Sequence, residues 1–247
     1  MIEREIDIAG PDGRIPCFVV HPDEGGPFPL VLFCMDALGI REELRDMARR
    51  FASAGYYVLL PNMFHRDGGP SFDAGPLAEG KLDPRMMALN DALTMDMTVR
   101  DAGALLDFAR ADPVARFPGA VVGYCMGGRH AIAAAAAYAD AFAALASLHG
   151  GRLVTTAPDS PHRRLAKAAA EAYFGWSPDD PTAPTDHMTE IEKALAARGL
   201  PYRLELHVGA LHGFTFPERY CYHKRAAERV WARLFALFDR TLRKDKR

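Results

Sequence analysis

VVGYCMGGRHA, residues 121–131, joins an apolar run, a turn bounded by glycines and the start of an alanine-rich segment. Gly123 and Gly127 flank Cys125 at the two positions where a sharp strand-to-helix turn has no room for a β-carbon, because the two backbones nearly touch. The helix that follows directs unpaired N–H groups and the positive end of its dipole at the turn, which would stabilise a thiolate or an acyl oxyanion. The segment therefore predicts a nucleophile elbow with a cysteine at its tip.

Two later segments supply an acid and a histidine after the elbow. FGWSPDDPTAP, residues 174–184, contains an acidic turn, and GALHGF, residues 209–214, follows an apolar run. Glycines also flank inert buried cysteines in proteins, so the elbow pattern alone leaves the role of its cysteine open. Nucleophile, acid and histidine in this order along the chain are typical of the α/β-hydrolase fold. The three segments together therefore favour that fold.

The composition indicates a single globular domain over residues 1–247, long enough to bury a large core. Hydrophobic residues make up 49% and charged residues 25% of the chain, and the formal net charge is -2, so nothing favours binding to nucleic acid or to an anionic membrane. No apolar run approaches the roughly 18 residues of a membrane span, and the charged N-terminus lacks the apolar core of a signal peptide. We therefore expect a small-molecule partner, a cytoplasmic location and a monomer or a homodimer.

The cysteines give no sign of a metal site. They are widely spaced, include no C-x-x-C pair and stand at no metal-ligand spacing from a histidine. We therefore expect no metal, and we interpret the three cysteines outside the elbow as buried or incidental thiols. These three are Cys17, Cys34 and Cys221.

Apolar periodicity predicts an α/β architecture with a mostly parallel central sheet flanked by helices. Alternating apolar and charged residues over 2–8, a turn, and an apolar run over 15–20 indicate an antiparallel hairpin at the sheet edge. The continuous apolar run 30–35 is typical of a buried central strand, and the helix 42–54 connects it to the strand 56–61 in a right-handed βαβ unit. Further helices are predicted over 86–97, 99–109, 185–197 and 218–242, further strands over 143–148 and 202–208, and a passage from helix to strand over 165–173.

Residues 62–84 form the longest irregular segment, and they are rich in Gly, Pro and Asp. Loops at strand ends often carry function, so this segment is a candidate for the mouth of a pocket. A solvent-exposed loop without a functional role is an equally good interpretation of the same composition.

Four side chains suited to hydrolysis stand just beyond the ends of predicted strands: Asp36, Cys125, Asp180 and His212. In open parallel sheets ligands bind at the carboxyl ends of the strands, so the topology predicts these residues at one edge. As a thiolate, Cys125 would attack an acyl carbon, and His212 would act first as a base and then as an acid. Asp180 would accept the second ring N–H of the histidine and fix its tautomer, although Asp179 is an adjacent candidate for this role.

Backbone N–H groups beside the elbow form the predicted oxyanion hole. Met126, the residue after the nucleophile, and Ala37, in the loop after the strand 30–35, would provide them. His149 also follows a predicted strand end, and we interpret it as a hydrogen-bonded structural histidine rather than as a second base.

The chain resembles the dienelactone hydrolase family of α/β-hydrolases over nearly its whole length. The resemblance rests on GYCMGG at 123–128, DPTAP at 180–184 and HGF at 212–214, and it extends to residues 36–39, 55–61 and 147–151. In that family the acid stands four residues before a proline, which favours Asp180, followed by Pro184, over Asp179. The resemblance implies that a Cys-His-Asp triad hydrolyses a lactone or an ester through an acyl-cysteine intermediate, without a metal or an organic cofactor.

Two positions depart from the type member of that family. Asp36 stands where the type member has a glutamate that is thought to hold the thiol until substrate arrives, so Asp36 either keeps this thiol-positioning role or caps the following helix. Phe216 stands where the type member has an arginine that binds the carboxylate of the substrate. Arg219, Arg85 or Arg41 could replace that arginine, or each could be a solvated surface residue.

Large apolar side chains near the expected pocket mouth suit a different substrate class; they are Phe64, Met126, Trp176, Phe214 and Phe216. They favour a carboxylesterase or thioesterase that accepts neutral apolar acyl groups. Because thiol triads hydrolyse simple esters poorly, a binding or regulatory protein that keeps the elbow without turnover is a third interpretation.

Overall fold

The computed structural model describes residues 1–243, in which eight strands form one sheet. The strands are β1 (Ile2–Gly10), β2 (Gly13–His21), β3 (Phe28–Cys34), β4 (Tyr57–Pro61), β5 (Ala115–Tyr124), β6 (Phe142–Leu148), β7 (Glu171–Trp176) and β8 (Tyr202–Leu206). The helices are α1 (Glu42–Ser53), α2 (Pro84–Ala92), α3 (Met95–Ala111), α4 (Met126–Ala137), α5 (Pro161–Arg164), α6 (Asp186–Ala196) and α7 (Lys224–Leu242). Short 3-10 helices cover His65–Asp67, Gly75–Glu79 and Leu165–Lys167.

The sheet has the strand order β1-β2-β4-β3-β5-β6-β7-β8. β2 pairs antiparallel with both β1 and β4, whereas every pair from β4 across to β8 is parallel. This arrangement confirms the predicted mostly parallel sheet with an N-terminal antiparallel hairpin at its edge.

The direction in which the sheet grows reverses at β3. α1 leads from β3 to β4 on one side, and α3 leads back past β3 to β5 on the other side. Because βαβ connections are right-handed, these two helices cover opposite faces of the sheet. The reversal leaves the carboxyl ends of β3 and β5 side by side, and such a switch point is where open α/β sheets bind ligands.

The apolar runs of the sequence become strands that are buried on both faces. Residues 29–34 of β3 and 119–124 of β5 are all buried, as expected for central parallel strands covered by helices. α1 and α7 pack together on one face, where the rings of Phe51 and Trp231 lie 4.7 Å apart. None of the helices within residues 1–243 is long and apolar enough to cross a membrane.

The predicted helix 86–97 is wrong in its bounds, because the structure divides this region into α2 and α3. Thr94 ends the continuity: its backbone is extended, and its side chain accepts a hydrogen bond from the N–H of Met97 at 3.2 Å. Such an N-cap satisfies one of the unpaired N–H groups of the next helix, so α3 begins at Met95. The strand expected within 165–173 is present, but it begins at Glu171 and continues to Trp176 as β7.

The last helix begins at Lys224, six residues later than the predicted start at Glu218. Residues 218–223 form turns instead, because they are anchored on the other side of the molecule. The N–H of Glu218 donates to Glu43 at 2.8 Å, and the guanidinium of Arg219 donates to Asp36. His223 then caps α7, since its Nδ1 accepts the N–H of Ala226 at 3.2 Å.

The irregular segment 62–84 packs on the loop that leaves β3. The N–H of Phe72 donates to the carbonyl oxygen of Leu38 at 2.8 Å. Gly39 has a φ of 80°, and a β-carbon on it would overlap the carbonyl oxygen of Pro70. The segment therefore supports one wall of the crevice between β3 and β5.

Candidate active site

Three of the side chains singled out in the sequence meet at the carboxyl edge of the sheet. Cys125 follows β5 directly, Asp180 lies in the loop after β7, and His212 lies in the loop after β8. His212 Nε2 lies 3.1 Å from Cys125 Sγ, and His212 Nδ1 lies 2.5 Å from Asp180 Oδ2. The imidazole thus bridges the thiol and the carboxylate through its two different nitrogens.

The turn at Cys125 has the strained backbone of a nucleophile elbow. Its φ of 53° and ψ of -118° are rare for a residue with a side chain, and such strain is typical of functional sites. A β-carbon on Gly123 would overlap the carbonyl oxygen of Gly127, and one on Gly127 would overlap that of Cys34. The N–H of Gly151 also donates to the carbonyl oxygen of Cys125 at 3.2 Å, which fixes the turn from the side of β6.

This crowding predicts that Gly127→Ala lowers the free energy of unfolding by about 1–3 kcal/mol, the usual cost of overpacking. The added methyl group would push α4 away from the end of β3, where only backbone atoms are in contact. Urea denaturation measures the loss. Gly75→Ala is the control, because a β-carbon there meets only the Asp73 side chain at 3.4 Å and should change stability by less than about 0.5 kcal/mol. Equal effects of the two substitutions would contradict this account of the elbow.

Asp180, not Asp179, contacts the histidine. Its side chain is fully buried, and its second oxygen, Oδ1, accepts the N–H of Thr182 at 2.8 Å and the Thr182 hydroxyl at 2.7 Å. The Trp176 indole N–H donates to the carbonyl oxygen of Ala183 at 2.6 Å and thereby anchors the turn. Asp179 is exposed, and no hydrogen bond joins it to the histidine among residues 1–243. Our sequence analysis missed Thr182, although an aspartate often accepts the N–H two residues later.

The charges at the site favour a thiolate beside an imidazolium. Burial raises the pKa of the Cys125 thiol, but attraction to His212 and the hydrogen bond to its ring outweigh burial, so the pKa lies below its ordinary value. Burial lowers the pKa of His212, yet the Cys125 thiolate and the Asp180 carboxylate raise it further than burial lowers it. Burial also raises the pKa of Asp180, and its hydrogen bonds to His212 and Thr182 bring that pKa below its ordinary value.

The remaining thiols are buried, and their pKa values lie above the ordinary value. Burial raises the pKa of Cys34 to about 12, and it raises the pKa of Cys17 further. Burial also raises the pKa of Cys221, more than the nearby Arg219 lowers it. These three cysteines therefore have the inert character that the sequence suggested.

We expect iodoacetamide to alkylate Cys125 with a pH profile whose inflection lies below the pKa of about 8.5 of a free cysteine. The thiolate is the nucleophile, and its fraction grows as the pH rises through the lowered pKa. Peptide mass spectrometry follows the modification. His212→Gln should move the inflection upward because the cationic partner is lost, and Cys34 should stay unmodified in the folded protein. An inflection at the same pH in the parent and in His212→Gln would contradict an ion pair between Cys125 and His212.

Two backbone N–H groups beside the thiol have no acceptor among residues 1–243. These are the N–H groups of Met126, the first residue of α4, and of Ala37, in the loop after β3. The close approach of Gly127 to the carbonyl oxygens of Cys34 and Met35 sets the start of α4 against that loop. The arrangement suits an oxyanion formed on an acyl group at Cys125.

His149 packs behind the imidazole of His212. It is fully buried, its Nε2 lies 2.8 Å from the Thr215 hydroxyl, and its ring stands nearly perpendicular to that of His212 at 5.2 Å. Burial and the charges of His212 and Arg219 keep its pKa well below the ordinary value, so the ring is neutral. These contacts agree with a structural histidine rather than a second base.

Asp36 makes no hydrogen bond to the thiol, although its negative charge raises the pKa of Cys125. Arg41 donates to both of its carboxylate oxygens at 2.8 and 3.1 Å, and Arg219 donates to one of them. The N–H of Leu38 donates to Asp36 Oδ1 at 3.1 Å, so the side chain closes its own turn and does not cap α1, whose N-cap is Arg41. Asp36 therefore anchors two arginines within the wall of the site.

The aromatic residues that were expected at the pocket mouth are buried. Phe64, Trp176, Phe214 and Phe216 are each at most 2% exposed. They support the site from within: Phe216, for example, lies under the Arg219 guanidinium, whose carbon is 4.0 Å from the ring centroid. The fifth expected pocket residue, Arg85, is exposed on α2.

The fold and the elbow define an α/β-hydrolase. The model of the dienelactone hydrolase family matches residues 15–242, and the chain belongs to this family.

A provisionally assigned carboxymethylenebutenolidase of Synechocystis sp. is 26% identical over 93% of this chain and 93% of its own length. One of Methylorubrum extorquens is 29% identical over 95% of this chain and 79% of its own length. The crystal structure of a provisionally assigned dienelactone hydrolase from Klebsiella pneumoniae has a TM-score of 0.85 at 23% identity and covers 96% of this chain and 98% of that chain. The protein is therefore a hydrolase.

Proposed function

We propose that the protein cleaves a lactone or a carboxylic or enol ester by means of a Cys125-His212-Asp180 triad. The observation that carries this proposal is the bridging position of the His212 ring, 3.1 Å from Cys125 Sγ and 2.5 Å from Asp180 Oδ2. No group of three His, Cys, Asp or Glu side chains within residues 1–243 is arranged to hold a metal ion.

In the proposed reaction the Cys125 thiolate attacks the acyl carbon, and the carbonyl oxygen becomes an oxyanion that the N–H groups of Met126 and Ala37 stabilise. The tetrahedral intermediate collapses as the C–O bond to the leaving alkoxide breaks, and the His212 imidazolium donates its proton to that oxygen. The neutral imidazole then takes a proton from water, and the resulting hydroxide attacks the acyl-cysteine. Collapse of the second intermediate releases the acid and restores the thiolate and the imidazolium.

Two relatives that this chain resembles are named as carboxymethylenebutenolidases. This resemblance supports an enol-lactone or ester as the substrate class. The alternative of a pocket for neutral apolar acyl groups rested on four aromatic residues and Met126 near the mouth, and all five are buried. Esters remain the common element of both interpretations, so the first experiment concerns the acyl-enzyme and not the identity of the acyl group.

The acyl-enzyme is expected on Cys125 when the protein is mixed with para-nitrophenyl acetate and quenched in acid. Mass spectrometry should find one acetyl group per chain, on the peptide that contains Cys125. Cys125→Ala should carry none, and Cys17→Ala should carry as much as the parent, because Cys17 lies buried in β2. An unmodified Cys125 together with no release of nitrophenol would favour a binding protein without turnover.

A further inference from the structure

β8 is the last strand of the sheet, and one of its two edges has no neighbouring strand within residues 1–243. On the other edge, the carbonyl oxygen of Pro201 accepts the N–H of Ala172 at 3.2 Å, and the N–H of His207 donates to the carbonyl oxygen of Trp176 at 2.8 Å. These bonds belong to the parallel pairing with β7, in which the odd-numbered residues of 201–207 direct their backbone groups inward. The even-numbered residues therefore direct theirs away from the sheet.

The outward backbone groups of β8 have no hydrogen-bond partner within the described chain. They are the N–H and C=O groups of Tyr202, Leu204 and Leu206. Natural proteins usually hinder the pairing of a free edge with a lysine, an internal proline or a bulge. β8 has none of these, since its sequence is YRLEL and its register with β7 runs without a shift. The edge is therefore free to pair with another strand.

Exposed apolar side chains are concentrated beside this edge. Leu206 is 40% exposed, Val208 82% and Leu211 44%. They are three of the seven large apolar side chains that are exposed within residues 1–243, although they lie within one short segment. A partner that covered them would gain hydrophobic stabilisation, which is the usual meaning of such a patch.

Helices of the same chain cover the two faces of β8. On one face the Tyr202 hydroxyl lies 3.4 Å from a carboxylate oxygen of Glu192 in α6. On the other face Glu205 accepts hydrogen bonds from Arg229 and Arg233 of α7. A partner is therefore expected at the edge of the strand and not on either face.

Antiparallel pairing of β8 with β8 of a second copy is self-complementary at one register. If Leu204 lies opposite Leu204 of the second copy, Tyr202 lies opposite Leu206, and the outward backbone groups make about six hydrogen bonds. Arg203 then lies opposite Glu205 of the second copy, and two-fold symmetry repeats this pair. A shift by two residues would place Arg203 opposite Arg203, or Glu205 opposite Glu205. Like charges directly opposite are destabilising, so the charges favour the first register.

Arg203 is available for this pair, because it is exposed and forms no ion pair within residues 1–243. The strand at the other end of the sheet, β1, differs from β8. Four of its nine residues are charged, and Glu3, Arg4 and Glu5 among them already pair with side chains of the same chain. Charged side chains protect an edge from pairing, so association at β8 alone would stop at a dimer.

We propose that two copies of this chain associate through the free edges of their β8 strands, antiparallel about a two-fold axis at Leu204, and thereby form one continuous sheet. Arg203 of each copy pairs with Glu205 of the other copy, and Leu206 becomes buried in the contact. The inference is independent of the proposed reaction, because no residue of the triad takes part in the contact. An interface of this kind uses the same surface on both copies, as in most dimers of identical chains.

Analytical ultracentrifugation tests the association. At about 100 µM, above the micromolar dissociation constants of weak interfaces, the parent should sediment with twice the mass of one chain. Leu206→Lys should raise the dissociation constant by about 10-fold or more, because it brings a charge into each half of an apolar contact. Leu82→Lys is the matched control, since Leu82 is 57% exposed but lies in the segment 62–84, outside the proposed contact. A parent that remains a monomer, or equal effects of the two substitutions, would overturn the inference.

A second substitution tests the register. Arg203→Met should raise the dissociation constant by about 2- to 10-fold, because two cross-strand pairs of opposite charge are lost. If Arg203 faced Arg203 of the second copy, the same substitution would remove a repulsion and lower the dissociation constant, which would contradict the proposed register. Arg225→Met, which removes an exposed cation of α7, should leave the dissociation constant as in the parent.

Amide hydrogen exchange identifies the surface that forms the dimer. The N–H of Leu204 should be protected in the parent dimer and should exchange rapidly in the dissociated Leu206→Lys variant. The N–H groups of Arg203 and Glu205 should be protected in both proteins, since they face β7. A dimer in which the N–H of Leu204 exchanges rapidly would be formed by another surface, and this result would overturn the inference.

Discussion

Cys125→Ala should lower kcat/KM for ester hydrolysis by about 10⁴-fold or more, because loss of the nucleophile in a triad leaves only binding and the oxyanion hole to assist water. In this protein the thiol is the atom that His212 Nε2 contacts at 3.1 Å, so no other group of the described chain takes its place at the imidazole. Initial rates with a panel of lactones and esters measure the effect, and activity equal to that of the parent would remove the mechanism.

The fold should survive this substitution. Cys125 is partly exposed and packs at the edge of the core, so the lost sulfur opens no closed cavity. The circular dichroism spectrum should therefore match that of the parent. Cys17→Ala is the matched control, since it removes a thiol that lies in β2, away from the carboxyl edge of β5, and should keep the parent's activity. Cys125→Ser should retain some ester cleavage, because the same base can activate a hydroxyl group.

Asp36→Ala should lower the free energy of unfolding by about 3–5 kcal/mol, the cost of breaking a buried ion pair from one side. The carboxylate is fully buried and accepts from both Arg41 and Arg219. Arg41 keeps Glu43 as a partner after the substitution, whereas the buried Arg219 is left without a carboxylate among the described residues. Chemical denaturation measures the change, and Asp36→Asn, which keeps the shape and an acceptor for the N–H of Leu38, should cost less.

A double-mutant cycle tests whether the cost comes from the uncompensated charge. Asp36→Ala combined with Arg219→Met should be less destabilising than the sum of the two single substitutions by about 1 kcal/mol or more. Asp96→Ala is the surface control: its ion pair with Arg164 at 2.8 Å is formed by a mostly exposed carboxylate and should contribute less than about 1 kcal/mol. If the losses in free energy of unfolding were strictly additive, the contact between Asp36 and Arg219 would contribute no coupling energy. A loss for Asp36→Ala no larger than that for Asp96→Ala would likewise contradict a stabilising buried ion pair.

The sheet was largely predictable because its information is local. The continuous apolar run at 30–35 can be satisfied only by burial on both faces, and the alternation at 2–8 only by burial on one face. The elbow was equally predictable from local sequence, since the glycines at 123 and 127 stand within two residues of the cysteine. Their role follows from the sharpness of the turn alone, and the structure places carbonyl oxygens where both β-carbons would lie.

The bounds of the helices depended on less local contacts. The break at Thr94 follows from a cap, but an apolar pattern continues through it and hides it in the sequence. The late start of α7 follows from contacts between residues 175 and 183 positions apart, namely Glu218 with Glu43 and Arg219 with Asp36. No periodicity within 218–242 contains that information, so the longer helix was the natural prediction.

The walls of the site were the least predictable part. The choice of Asp180 over Asp179 came from the resemblance, and the geometry agrees because Thr182 and Trp176 fix the turn in that register. The four aromatic residues were expected near the mouth, yet side-chain direction decides burial, and they are buried.

The order of strands in the sheet also determines when the thiol becomes reactive. Cys125 and His212 are separated by 87 positions, and β7 and β8 add to the sheet edge after β6 in the order in which the chain is synthesised. An elbow that forms before β8 is paired would therefore hold its cysteine without the imidazole of His212. Its sulfur would then have the weak nucleophilicity of an ordinary thiol.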